Sequence, residues 1–346
     1  RERLIAPIKF IWNYAGNCLT NQHGGINQMH PILSDDKKCE TIVVIDTTLT
    51  PSARYADYLL PSCMNLEEHD WTTDGDSNIA YVIFDNKCIE PLGEAKSIYD
   101  ICAGVAKELG TEQAFTEGLT QYQWLERLYE ESRKAVPELP PTLEEAFKMG
   151  VYKKYFPENH IAYKAFREDP EAHPLDSPSG KIEIYSPRLA ELAETWTLLP
   201  GQSITPLAEY VPNPEGAISP ERKQWPLQLI GHHYKQRTHS TYGNCWWLQE
   251  VAPQELWINP IDARARGIRF GDRVKVYNGR GVSYVKAKLT PRIMPGVVSL
   301  PEGAWHTPNA AGEDTNGCVN VLTKLLPTAL AKGNPHHTNL VQVEKA

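Results

Sequence analysis

The chain has 346 residues, 41% of them apolar and 23% charged, and a formal net charge of -8 at pH 7. That balance suits a globular protein that folds in water with enough chain for two domains. The acidic excess and the lack of any large Lys/Arg cluster exclude a broad nucleic-acid surface, and no apolar run of about 18 residues exists to form a transmembrane helix.

Residues 1–11 lack an initiator Met and any signal-peptide pattern, so the natural protein is expected to begin upstream. Residues 9–15 read as a first strand, and 41–46, Thr-Ile-Val-Val-Ile-Asp, as a second. The β-branched run of the second is that of a buried central strand. A shorter third covers 58–60 and stops at Pro61. Ile98, Ile101, Val105 and Leu109 stand at amphipathic-helix spacing, with Gly110 as the C-cap. Further helices are expected over 122–136 and 142–150, the second opened by Thr142 and Glu145 as a capping box.

Prolines recur from Pro157 to Pro220, and residues 151–220 read as a crossover or linker. From Trp225 the texture changes to short strands at 227–231, 255–258, 273–277, 282–289 and 296–300. This is an all-β pattern, most simply a small closed barrel. Within it, 259–268 fits a short helix entered through Asn259 and closed by Gly267. The expected organisation is α/β over 1–150, the crossover over 151–220, and all-β over 221–346.

Seven cysteines are scattered with no C-x-x-C pair, so zinc fingers and iron-sulfur runs are not expected within these residues. The odd count argues against a complete disulfide framework, and they read as small buried hydrophobes.

Several segments could carry chemistry. The loop 16–27, with Asn17 and Asn21, is dense in amides and glycines and follows the first strand, where α/β sheets gather ligands; an ordinary turn is the alternative. Asp46 ends the second strand and suits a ribose or purine N–H, or else a helix cap; no G-x-G-x-x-G follows either strand. The stretch 231–240, with Gly231, His232, Lys235, Arg237, Thr238, His239 and Ser240, concentrates donors suited to a flat anionic ligand. Three histidines in one loop could instead suggest a metal, but they lack the spacing of a metal-binding helix face and no metal ligand is expected; an unrelated surface loop is the alternative. Residues 314–323, including Asn320, and then Asn334, Pro335, His336 and His337 gather amides and imidazoles, with turn chemistry as the alternative. Glu67 and Glu68 are expected in a solvated loop, and no Ser-His-Asp order is evident.

Together these segments resemble the molybdopterin oxidoreductases of the dimethyl sulfoxide reductase family. Residues 41–61 are similar to the family's strand followed by T-x-x-A-x-x-A-D-x-x-L-P, 259–272 to its P-x-D-A-x-x-x-G-I-x-x-G-D, and 319–323 to V-N-x-L-T. The texture of 12–17, 233–244, 333–335 and 338–341 is closest to the anaerobic dimethyl sulfoxide reductases and their selenate reductase-like paralogues. The pattern lapses at Thr72-Thr73-Asp74-Gly75-Asp76, where relatives carry G-T-x-x-N-x-E-G-R.

The resemblance implies a Rossmann-like parallel-sheet domain followed by a double-psi β-barrel, gripping Mo-bis(molybdopterin guanine dinucleotide). It puts Asn17 and Asp46 at a guanosine end, 231–240 on pterin and pyrophosphate, and Asn320 with His337 against a cofactor unit. Asp46, the His-rich strand exit and Asn320 are expected to converge on one crevice. The implied chemistry is reduction of S-oxides or N-oxides such as dimethyl sulfoxide. The molybdenum ligand and a [4Fe-4S] cluster are expected upstream of Arg1, which would leave this chain inactive alone. An iron-sulfur subunit, a membrane anchor and a periplasmic location at the inner membrane are implied likewise. The alternatives are a non-catalytic nucleotide- or partner-binding module, or a same-family selenate reductase or formate dehydrogenase.

Overall fold

The computed structural model describes residues 6–73, 80–334 and 337–346. Asp74, Gly75 and Asp76 of the lapsed motif, and Pro335 and His336 near the end, lie outside them. The chain forms two compact units. The first gathers the chain up to Val44, Leu49–Tyr58 and Pro174–Ala346; the second gathers Ile45–Thr48 and Leu59–His173. This spatial grouping follows different lines from the linear change of texture at 150 and 220.

Strands β1 (Phe10–Tyr14), β2 (Thr41–Asp46) and β3 (Tyr58–Pro61) form a sheet in the order β1-β2-β3. Asp57 N donates to Ile42 O and Ser62 N to Asp46 O, so both chains advance in the same direction, as in a parallel pair. Ile42, Val43, Val44 and Ile45 are all buried, as the β-branched run requires of a strand covered on both faces. In the first unit, Ile42 and Val44 pack with Leu33, Cys39 and Ala53.

The second unit carries an antiparallel sheet of β4 (Asp70–Thr73), β5 (Tyr81–Asp85) and β6 (Val151–Lys153). Val82 and Phe84 of β5 pack with Tyr129, Leu143 and Phe147 from two helices, Gln121–Ala135 and Leu143–Met149. Thr142 Oγ1 accepts from Glu145 N at 3.2 Å, so of the expected capping box the structure shows the Thr142 half. A full reciprocal capping box occurs at Thr120 and Gln123, where none was expected. Ser97 caps the helix Ile98–Glu108, and Gly110 follows it at φ +69°.

The barrel belongs to the first unit. Strands β7 (Leu227–Ile230), β8 (Glu255–Ile258), β9 (Arg273–Asn278), β10 (Gly281–Leu289), β11 (Val297–Ser299) and β12 (Asn339–Lys345) close in the order β10-β8-β11-β7-β12-β9. Two pairs are parallel, β8 with β10 and β7 with β11; the remaining neighbours are antiparallel. Alternate residues fill the interior, with Leu227, Leu229, Leu256, Ile258, Val274, Val276, Val298, Val341 and Val343 in one buried cluster. The helix Pro260–Ala265 is capped by Asn259 Oδ1, which accepts from Ile261 N, and ends before Gly267 at φ +66°. No helix among the described residues is long and apolar enough to cross a membrane.

Candidate functional site

The site grows from the segment Pro301-Glu302-Gly303-Ala304-Trp305, which leaves the barrel after β11. Two networks meet on it. The first comes from the opening loop. Asn21 Nδ2 donates to Ala304 O at 2.7 Å, and Asn320 Nδ2 donates to Asn21 O at 2.8 Å and His23 O at 2.7 Å. Asn320 sits in a 3-10 turn, Val319–Val321, whose apolar flanks Val319, Val321 and Leu322 are anchored in the barrel core. That anchoring buries its side chain and fixes its aim. With both donated bonds identifying Nδ2, the remaining atom, Oδ1, is buried and has no partner among the described residues.

Asn17 is engaged within the protein. Its Oδ1 accepts from Ser52 Oγ at 2.7 Å, Ser52 N at 3.1 Å and Thr20 Oγ1 at 2.9 Å, and its Nδ2 donates to Asn21 Oδ1 at 2.8 Å. Asn17, Asn21 and Asn320 therefore form one connected chain. Asp46 ends β2 in the second unit; its Oδ1 accepts from Thr47 N at 2.8 Å, and burial raises its pKa.

The second network is the strand exit of β7. Glu302 N donates to His232 O at 3.1 Å, and Arg237 Nε donates to Glu302 O at 3.1 Å. Arg237 Nη2 also donates to Glu302 O and, at 2.9 Å, to Gln254 Oε1, while the guanidinium lies over the Tyr234 ring. Burial lowers the Arg237 pKa. Gly231 N donates to His337 Nδ1 at 3.2 Å, and His232 Nδ1 pairs with Ser299 Oγ at 2.6 Å. His232 Nε2 is then buried without a partner among the described residues, and burial, with Arg237 nearby, pushes its pKa down, so the imidazole is neutral near pH 7. The Ser240 carbonyl accepts from Trp305 Nε1 at 2.7 Å. Lys235 and Thr238 are exposed, as is His239, whose Nδ1 lies 3.3 Å from Glu302 Oε2.

Gly231, His232, His233, His239, Glu302 and His337 line a cavity of about 270 Å³. A second, of about 390 Å³, is lined in part by Tyr234, Arg237, Tyr242, Trp305 and Lys286. The donors and ring faces suit a polar, flat, anionic guest, and the two buried orphan atoms, Asn320 Oδ1 and His232 Nε2, call for partners that the described residues do not supply.

Sequence reasoning missed Glu302, Ser299 and Gln254, which carry no motif of their own. It also placed Glu67 in a solvated loop. The structure corrects this: Glu67 is buried, accepting from Met64 N at 2.7 Å and Leu92 N at 2.8 Å, because a carboxylate can satisfy two backbone donors at once. Asp314 follows the turn-chemistry alternative, accepting from Thr307, Asn316 and Cys318 N and from Ser283 Oγ.

Comparison with known proteins adds to this geometry. Residues 227–340 match the family model of the molydopterin dinucleotide binding domain, and residues 3–108 match that of molybdopterin oxidoreductase. The chain is 57% identical to dimethyl sulfoxide reductase DmsA of Escherichia coli strain K12, over 100% of this chain and 42% of that protein. The Haemophilus influenzae DmsA is 51% identical over 99% of this chain and 43% of its own length. Trimethylamine-N-oxide reductase 1 of Escherichia coli O157:H7 is 34% identical over 99% of this chain and 41% of its length. The chain thus spans about two-fifths of the curated relatives it matches. Among solved structures, acetylene hydratase from Pelobacter acetylenicus superposes with a TM-score of 0.71 at 21% identity, covering 96% of this chain and 44% of that one, a likeness of fold.

Proposed function

Because the chain belongs to the molybdopterin oxidoreductase family, we propose that it forms part of the cradle of a Mo-bis(molybdopterin guanine dinucleotide) in an enzyme that reduces S-oxides or N-oxides. The orphaned Oδ1 of Asn320 carries the reading. A buried amide oxygen without a donor costs about 1–3 kcal/mol, and the amino groups of a pterin or guanine are donors of the right kind. His232 Nε2 and the peptide groups of Pro301–Trp305 complete the polar wall, with His239, Ser240 and His337 at its rim. Arg237 acts by holding the Glu302 backbone and, with Lys235, supplies the positive charge a pyrophosphate needs. When bound, the molybdenum supplies two-electron oxygen-atom transfer; these residues bind and orient the group that carries it.

The same reading extends to topology and setting. The parallel run of β2 and β3 supports a Rossmann-like arrangement, and the paired parallel strands β7/β11 and β8/β10 support a double-psi barrel. The [4Fe-4S] cluster is assigned outside these residues, an iron-sulfur subunit and membrane anchor are the proposed partners, and the proposed location is periplasmic.

The test is activity of the full-length protein, purified without oxygen, with a reduced artificial donor. Donor oxidation dependent on dimethyl sulfoxide or trimethylamine N-oxide is expected. A protein that contains a bound nucleotide yet oxidises no donor with either substrate would instead be a binding module.

A further inference from the structure

We propose that His233, His239 and Glu302 form a binding site for a divalent transition-metal ion of the zinc class, open in the protein that has not yet received its cofactor. His233 Nε2 lies 3.5 Å from Glu302 Oε1 and His239 Nδ1 lies 3.3 Å from Glu302 Oε2. The three candidate ligand atoms all fall within 4.8 Å of one another. Charge-assisted hydrogen bonds between such groups close to about 2.7–2.9 Å. Ligand atoms around a tetrahedral ion with bonds of about 2.0–2.2 Å stand roughly 3.3–3.6 Å apart. The two histidine–carboxylate separations, 3.5 and 3.3 Å, are longer than such short bonds and fall within the second range, and the third lies within 4.8 Å, so a small closing movement brings the three atoms around one ion. Two imidazoles and a carboxylate also make a donor set that selects zinc-like ions over magnesium or calcium, which prefer oxygen.

The site is built by the backbone. His239 sits at φ +49°, a left-handed conformation uncommon for a residue with a side chain. Its carbonyl oxygen packs where a Cβ on Gly303 would be, and Gly303 itself has φ +84°. Glu302, one residue before, is held by His232 O on its N–H and by Arg237 on its carbonyl. The backbone that carries His239 and Glu302 is thus held in place before any ion arrives. The three residues line the cavity of about 270 Å³ together with His232 and His337, which leaves room for a further ligand. The histidine spacing in sequence could not show this, because the carboxylate comes from 63 residues beyond His239.

His239 also belongs to the residues proposed to hold the dinucleotide, so ion and cofactor exclude one another. The ion site itself rests only on the geometry above. The test uses the full-length protein from cells that make no molybdopterin, purified without oxygen so that the proposed [4Fe-4S] cluster keeps its own cysteines occupied, freed of loosely held divalent ions with a mild chelator and titrated with Zn²⁺. One ion per chain is expected, bound at least about 100-fold more weakly by both H233N and H239N, with H173N as an unaffected control. The His233 and His239 side chains are 74% and 72% exposed, so neither replacement disturbs the core. Absence of stoichiometric zinc in the unaltered protein, or loss of affinity in only one or neither His variant, overturns the proposal. Because cofactor plays no part in the titration, its outcome is separate from that of the activity assay.

Discussion

His306 is 3% exposed, its ring stacked on His30 at 4.8 Å, and its Nε2 has no partner among the described residues. Tyr55 O–H meets His30 Nδ1 behind it. Burial, with His30 and Arg54 adding, pushes the His306 pKa down to about 4. An unfolded histidine titrates near 6.5, so between these values the unfolded chain holds more protons. The stability due to this residue is therefore full above about pH 6.5 and lost as pH falls toward 4, by up to about 3 kcal/mol. Urea midpoints at pH 7.5 and 4.5 should fall less steeply with acid in H306F than in the unaltered chain; equal slopes would refute the assignment. At this scale the sequence showed Asn320 and His232 through their neighbours in recognisable segments. It did not show the His30–Tyr55–His306 stack or Glu302, whose partners lie far along the chain.

Strands β7 to β11 were legible because the barrel interior is filled by alternate residues, a signal that survives without knowledge of partners, whereas β12, Asn339–Lys345, was not read as a strand. The expected 273–277 and 282–289 became Arg273–Asn278 and Gly281–Leu289, with Asn278 and Gly281 meeting across the turn. Strands β4, β5 and β6 were not foreseen. The outer two, β4 and β6, are four and three residues long and largely exposed, whereas β5 does alternate, burying Val82 and Phe84, and was missed all the same. The helix Ile26–Leu33 was hidden by its internal Pro31. The stretch read as a crossover holds an element of fold stability as well. Glu215 is 7% exposed and grips Arg280 beside the β9–β10 turn through two bonds of 2.6 and 2.9 Å, while accepting from Leu340 N on β12. Removing one partner of such a pair leaves a buried charge, so E215A should cost about 3–5 kcal/mol. Urea unfolding checks this, and a loss below about 1 kcal/mol, the level of an exposed pair, would show that the bridge does not hold the turn.

At the level of the whole chain, texture suggested consecutive domains, whereas the first unit joins the opening loop to the barrel across more than a hundred residues of intervening sequence. Periodicity reports local structure and carries no record of that closure. The closure is nevertheless what creates the site, since Asn21 and His23 from the beginning meet Asn320 near the end. The central claim is that this junction holds half of a guanine dinucleotide cofactor, and the most direct measurement is the guanine nucleotide released by acid from the full-length protein, counted against its molybdenum. Two GMP per molybdenum are expected, with occupancy falling several-fold in N320L, which removes the orphaned oxygen and the two donated bonds together. A protein that releases no GMP, or an N320L variant that folds and retains the full complement, would contradict the account.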